Sequence, residues 1–237
     1  MTGSLHTQST LDGNAGEKLR RGLSALIYGL YVIIDPEVTG GRASLDVARG
    51  ALRGGARILQ LRDKAGEKGA TLILARALKE LCTEHDTLLI INDHADLAVL
   101  AEADGLHLGQ GDLPVAEARR ILGPHQIIGR SNYTLEQSLE SEEMGADHLA
   151  LGNVYPTSTK ASISRRAPIG PSSVRRVKDA VDVPLVAIGG ITEDSIELVV
   201  KAGADAVCVT GAVGLAPDPE EASRRLVERI LAAGGRA

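Results

Sequence analysis

Phenylalanine and tryptophan are absent from this 237-residue chain, and four tyrosines are its only aromatics. Proteins that hold single-stranded nucleic acid stack bases on aromatic side chains, so that class is excluded. No basic excess compensates: the formal net charge is −5, which favours neither nucleic acid nor an anionic membrane as a partner. Cysteine is nearly missing. Cys82 and Cys208 each lie inside an apolar periodic segment, outside any CxxC or Cys/His pattern, which argues against a disulfide framework or a zinc site. Both read as small buried hydrophobes in a reduced, cytoplasmic protein. No apolar run approaches the roughly 18 residues of a membrane span.

One segment imitates an export signal. KLRRGLSALIYGLYVII (18–34) has a basic start and an apolar stretch. It begins late, follows Asp12 and Glu17, and ends in Asp35-Pro36 with no small-x-small cleavage site. Its second half therefore reads as a first core strand. Residues 1–24 are polar and small, the composition of a disordered tail, which leaves 25–237 for one folded domain.

What the chain does have is alternation. Eight short apolar runs recur: 30–35, 57–62, 88–93, 105–109, 126–131, 148–154, 184–190 and 206–213. The stretches between them carry apolar residues at three- and four-residue spacing, as helices packed on a sheet require. The runs are almost continuously apolar, which suits parallel strands covered on both faces. A junction repeats as Gly55-Ala56-Arg57, Gly145-Ala146-Asp147 and Gly203-Ala204-Asp205, with Ala103-Asp104-Gly105 as a cousin. Glycine there caps a helix in the left-handed conformation just before the next strand. Eight such units predict an α/β fold, a (β/α)₈ TIM barrel in a single domain. The runner-up, a doubly wound open sheet, lacks its GxGxxG after the first run, LYVIIDPEVTGG.

Barrels of this kind do their chemistry at the C-terminal ends of the strands, and the polar residues fall there. The second run ends in Gln60, Arg62, Asp63 and Lys64; the third in Asn92-Asp93-His94; the fourth carries His107 and leads to Asp112; the fifth ends at Ser131. The sixth runs into YPTSTK (155–160), a loop of three hydroxyls and a lysine. Asp93 and Asp112 are hard oxygen ligands that suit Mg²⁺ held with waters and phosphates. Arg62, Lys64, Lys160, Ser131, Thr157, Ser158 and Thr159 are anion donors. IGGI (188–191) and VTGAV (209–213) offer backbone N–H groups for a second phosphate, so two small phosphorylated substrates are indicated.

Each residue also has a plainer reading. Asp93 could cap the next helix, Asp112 could sit in a turn, and Arg62 and Lys64 could be a solvated strand end. His107 reads as a hydrogen-bonded core histidine in preference to a catalytic one; His94, His125 and His148 read as surface or capping residues. Their conjunction at one barrel end is what favours function.

QLRDK (60–64), INDHADLA (91–98), EADGLHLGQGDLP (102–114), IIGRS (127–131), GNVYPTSTK (152–160), AIGGI (187–191) and VCVTGAV (207–213) together resemble, in order and spacing, the thiamine-phosphate synthase family. The resemblance spans about residues 28–234. It implies a Mg²⁺-dependent (β/α)₈ transferase that joins hydroxymethylpyrimidine diphosphate to a thiazole monophosphate, releasing pyrophosphate by a dissociative route. Carried over by position, Gln60, Arg62, Lys64, Asn92, Ser131 and Lys160 would hold the pyrimidine diphosphate, with Lys160, Arg62 and Ser131 serving the leaving group. Asp93 and Asp112 would bind Mg²⁺. Thr157, Ser158, Thr159, Gly190, Val209 and Thr210 would hold the thiazole phosphate. The thiazole nitrogen attacks through a lone pair, so no general base is needed, and the sequence has no Ser/His/Asp arrangement. Thr210, Asn153, Arg130 and Ile34 depart from the family's usual residues; Arg130 could touch diphosphate or point away. A related thiazole tautomerase and a non-catalytic phosphate-binding barrel are the alternatives. Oligomeric state, including a homo-oligomer, and substrate contacts of Arg165 and Arg166 are left open.

Overall fold

Strands that are apolar on both faces must be covered on both faces, and a closed ring with helices outside achieves this. The computed structural model describes residues 16–157 and 167–237. Its eight strands are β1 (Gly29–Ile34), β2 (Ile58–Leu61), β3 (Leu88–Asn92), β4 (Gly105–Leu108), β5 (Ile127–Asn132), β6 (His148–Leu151), β7 (Leu185–Ile188) and β8 (Ala206–Val209). All neighbours are parallel and β8 closes on β1. The predicted barrel is the observed one, and each strand lies within its predicted run except that β1 starts one residue earlier, at Gly29, and β5 ends one later, at Asn132.

Alternation along each strand sorts side chains into two cores. Leu30, Val32, Leu59, Leu61, Leu89, Ile91, Leu149 and Leu151 face outward into the layer beneath the helices. Tyr31, Ile33, Ile58, Ile90, Ile127, Ala150, Val186 and Cys208 fill the ring. Both cysteines are buried and free, as expected. Arg130 shares its register with Leu108 and Leu149 and so belongs to the outward set, away from the mouth.

Residues 16–24 form a helix, α1, where composition suggested an irregular tail; residues 1–15 lie outside the described residues. Tertiary contacts explain the difference. Leu23 packs on the inner core, Ser24 Oγ donates to the Asp147 carbonyl at 2.5 Å, and an Arg20 Nη1 donates to the Pro124 carbonyl at 2.7 Å. The remaining helices are α2 (Ser44–Arg53), α3 (Lys68–Glu84), α4 (Ala95–Leu100), α5 (Val115–Ile121), α6 (Leu135–Glu143), α7 (Gly170–Lys178), α8 (Ile196–Lys201), the short α9 (Gly211–Gly214) and α10 (Pro219–Ala232). In α10 the Asp218 carboxylate accepts the Glu220 and Glu221 N–H groups at 2.9 and 3.1 Å, Pro219 starts the first turn, and Ala222, Leu226 and Ile230 make the buried stripe.

The repeated junctions are Schellman caps. Gly55, Gly145 and Gly203 have φ of +95°, +87° and +97°. The alanine after each donates back to Ala51, Ser141 and Val199. In the cousin the left-handed residue is Glu102, at φ +51°, with Ala103 donating to Ala98. The aspartate that follows is a clamp at the N-terminal end of the barrel. Asp104, Asp147 and Asp205 accept the N–H of Leu89, Ile128 and Leu185 at 2.7–2.8 Å, and pair with Lys79, Arg119 and Lys178. Each clamp ties its own strand to the preceding strand and to the helix that leads into that preceding strand, three times over.

Candidate active site

The C-terminal end of the barrel opens into a cavity of about 340 Å³. Gln60, Arg62, Asn92, Ser131, Thr157, Gly190, Val209 and Thr210, all proposed from the sequence, line it together. So do Tyr31, Asp35, His107 and Cys208, which the sequence did not single out as substrate contacts. Ser158, Thr159, Lys160, Arg165 and Arg166 lie outside the described residues.

The floor of the cavity is set by strand register. Tyr31 and Gln60 both point inward from adjacent strands, and Gln60 Nε2 donates to the Tyr31 hydroxyl at 2.6 Å. Both are buried. Two residues up, Arg62 is ion-paired with Asp35. On the opposite wall His107 and Ser131 meet, Nε2 to Oγ at 2.9 Å. His107 is therefore a hydrogen-bonded core histidine, as expected, and also a wall of the cavity.

His148 is not the surface or capping residue the sequence suggested. It is fully buried, and neither ring nitrogen has a hydrogen-bond partner among the described residues. It stands at the same level as His107, ring centroids 5.9 Å apart, with Gly129 between them in register. A Cβ at Gly129 would lie 2.1 Å from His148 Nε2 and 2.7 Å from His107 Nδ1, so only glycine admits both rings. Burial holds the His148 imidazole down to a pKa of about 4, against a small opposing pull from Asp147; it is neutral at physiological pH.

Asp93, Asp112 and Lys64 form a separate group at the same end. The capping alternative for Asp93 fails: the N-cap residue of α4 is His94, without a side-chain bond, while the Asp93 carboxylate takes the Lys64 ammonium. Its backbone is left-handed, φ +63°, a conformation aspartate and asparagine tolerate better than most residues. The turn alternative for Asp112 is real, since Oδ2 accepts the Gly109 N–H at 2.7 Å. That bond uses only Oδ2, and the Asp112 carboxylate lies close enough to Asp93 for each to shift the other's titration. Burial and then the Asp93 carboxylate push the Asp112 pKa up. Burial acts to raise Asp93 too, but the Asp112 bond and Lys64 outweigh it and hold it below its ordinary value. Two carboxylates close enough to share a proton form a site that a divalent cation would neutralise. Among the described residues no three His, Cys, Asp or Glu side chains gather as a complete protein cage. A hard ion that keeps waters and takes substrate oxygens fits such a two-carboxylate set.

The β7 and β8 ends make the third part. Gly189 and Gly190 have φ of +101° and +66°, and a Cβ on Gly190 would meet the Pro156 carbonyl oxygen at 2.3 Å. The β6 loop thus lies directly against the β7 loop, held by Tyr155 N–H on the Gly189 carbonyl at 2.9 Å. Beside it Thr210 precedes α9, whose first N–H groups, on Gly211 and Ala212, have no partner within the helix by its geometry. Backbone donors and a threonine hydroxyl at a cavity edge suit a phosphate monoester.

Comparison with known proteins gives one answer. A family model described as thiamine monophosphate synthase matches residues 30–213. The chain is 42% identical over 200 residues to the thiamine-phosphate synthase of Shouchella clausii, covering 84% of this chain and 95% of that one. It is 42% identical over 209 residues to that of Moorella thermoacetica, covering 88% and 99%. Among solved structures it is similar to a thiamine phosphate pyrophosphorylase from Pyrococcus furiosus, with a TM-score of 0.81, 35% identity, and 89% and 98% of the two chains covered. A 3-hexulose-6-phosphate synthase, at 19% identity and TM-score 0.66, shares the fold alone.

Proposed function

Because the chain belongs to the thiamine-phosphate synthase family, we propose that its barrel mouth joins hydroxymethylpyrimidine diphosphate to a thiazole monophosphate, giving thiamine monophosphate and pyrophosphate. The enzyme is a transferase. The reading is carried by two unlike sets of anion donors lining one cavity, Arg62 on one side and the glycine and threonine backbone of β7 and β8 on the other, with the Asp93/Asp112 pair at the same barrel end suited to a cation.

The breaking bond joins a benzylic-type carbon to diphosphate, and the electron-rich aminopyrimidine supports the cation left behind. Gln60, held by Tyr31, orients the ring from the cavity floor. Arg62 and the Ser131 hydroxyl meet the charge that grows on the departing diphosphate, as donors already aimed at it. Asn92 and Lys64 add donors on the same side. Lys160 extends the same clamp as a sequence-based assignment, as do Ser158 and Thr159 for the thiazole phosphate. Asp93 and Asp112 would hold Mg²⁺, which would supply positive charge to offset the charge on the departing diphosphate. Thr157, Gly190, Val209 and Thr210 fix the second substrate by its phosphate, so that its ring nitrogen faces the cation. Holding both reactants in place removes most of the entropic cost of their encounter. The thiazole nitrogen attacks through its lone pair, so no general base is required.

Mixing the protein with both substrates and Mg²⁺ is expected to yield thiamine monophosphate and pyrophosphate in equal amounts. Folded protein that produces neither refutes the reading.

A further inference from the structure

We propose that Asp35, which contributes no group to either substrate, is a positioning residue that aims Arg62 at the diphosphate; the proposal rests on the reaction assigned above. Asp35 is the last residue before the β1 loop, and its side chain is only 3% exposed, against 18% for Arg62. Both its oxygens are committed. Oδ1 accepts the Glu37 N–H at 3.0 Å, and Oδ2 accepts Arg62 Nη1. The backbones are tied as well, since the Arg62 N–H donates to the Ile34 carbonyl at 2.9 Å. The carboxylate is thus a fixed point, and the guanidinium is held to it by one nitrogen.

A guanidinium carries five N–H donors in a rigid plane. With one nitrogen on Asp35, the rest have no partner among the described residues, yet Arg62 lines the cavity. A free arginine would sweep many rotamers and lose that freedom on gripping an anion. An arginine already docked loses less. Stability alone does not account for the pair, because a buried carboxylate recovers little more from a half-open partner than its desolvation costs.

Charge and position predict opposite signs, which makes the inference sharp. Taken as a bare negative charge, Asp35 repels diphosphate, and neutralising it tightens anion binding. Taken as a positioning residue, its loss weakens binding. The variants Asp35→Asn, Arg62→Gln and the double substitution are titrated calorimetrically with Mg²⁺ and pyrophosphate, and KM is measured for each substrate. Asp35→Asn is expected to weaken pyrophosphate about ten-fold and to raise KM for the pyrimidine diphosphate similarly. KM for the thiazole phosphate is expected to stay within about two-fold, and the double variant to match Arg62→Gln alone. Tighter pyrophosphate binding, a parallel rise of both KM values, or losses that multiply in the double variant overturns the proposal. If Asp35→Asn does not fold, Asp35→Glu keeps the charge but shifts the guanidinium, and the same asymmetry between the two KM values is expected. A wild-type protein that binds pyrophosphate but makes no thiamine phosphate would overturn the reaction, while the coupling between Asp35 and Arg62 would still be read from the titrations.

Discussion

His148 illustrates what burial does to one residue. Its imidazole is neutral in the fold, with a pKa near 4, and ordinary, near 6.5, in the unfolded chain. Because the unfolded state binds the proton first on acidification, the stability it contributes is complete above pH 6.5 and is lost as pH falls towards 4. The loss is on the order of 3 kcal/mol. His148→Met is expected to flatten that part of the stability curve; denaturant midpoints from pH 7 to 4.5 that fall equally in both proteins contradict it. The sequence could not reveal this burial. HLALGNV is apolar on both faces, so nothing marks which alternate residue enters the ring. Asp35 was hidden for a related reason. Next to Pro36 it reads as a strand terminator, and its partner is 27 residues away, adjacent only once β1 and β2 are in register.

At the scale of elements, local chemistry was legible and tertiary override was not. The strands, the glycine caps and the polar strand ends all follow from short-range pattern. Helix α1 does not, because it is stabilised by Asp147 and Pro124, more than a hundred residues away. The caps carry a prediction of their own. Glu102 occupies the left-handed position that glycine fills at the other three junctions. Glu102→Gly relieves that strain at some entropic cost and is expected to raise stability by about 0.5–1 kcal/mol, read as a higher thermal midpoint. A lower midpoint would show that the glutamate makes a compensating contact.

The whole molecule divides its labour between its two ends. The N-terminal end carries the aspartate clamps and α1; the C-terminal end carries the cavity and the carboxylate pair. Asp205→Asn, at the N-terminal end, weakens the Lys178 pair and the acceptor for Leu185 N–H. It is expected to lower stability by about 1–2 kcal/mol while leaving both KM values unchanged. A changed KM would mean that the two ends are coupled. The family was legible because its motifs are short, polar and set at strand ends, where the sequence pattern is local. The supporting residues Tyr31 and Asp35 escaped because they act through other side chains. The central claim is that the Asp93/Asp112 pair holds the cation that draws off diphosphate, and Asp93→Asn tests it most directly. Asparagine keeps the left-handed backbone and the shape but not the charge. Turnover measured across a Mg²⁺ titration, beside a melting curve, is predicted to fall at least about a hundred-fold with the fold intact. An unchanged rate in a folded variant would contradict the account.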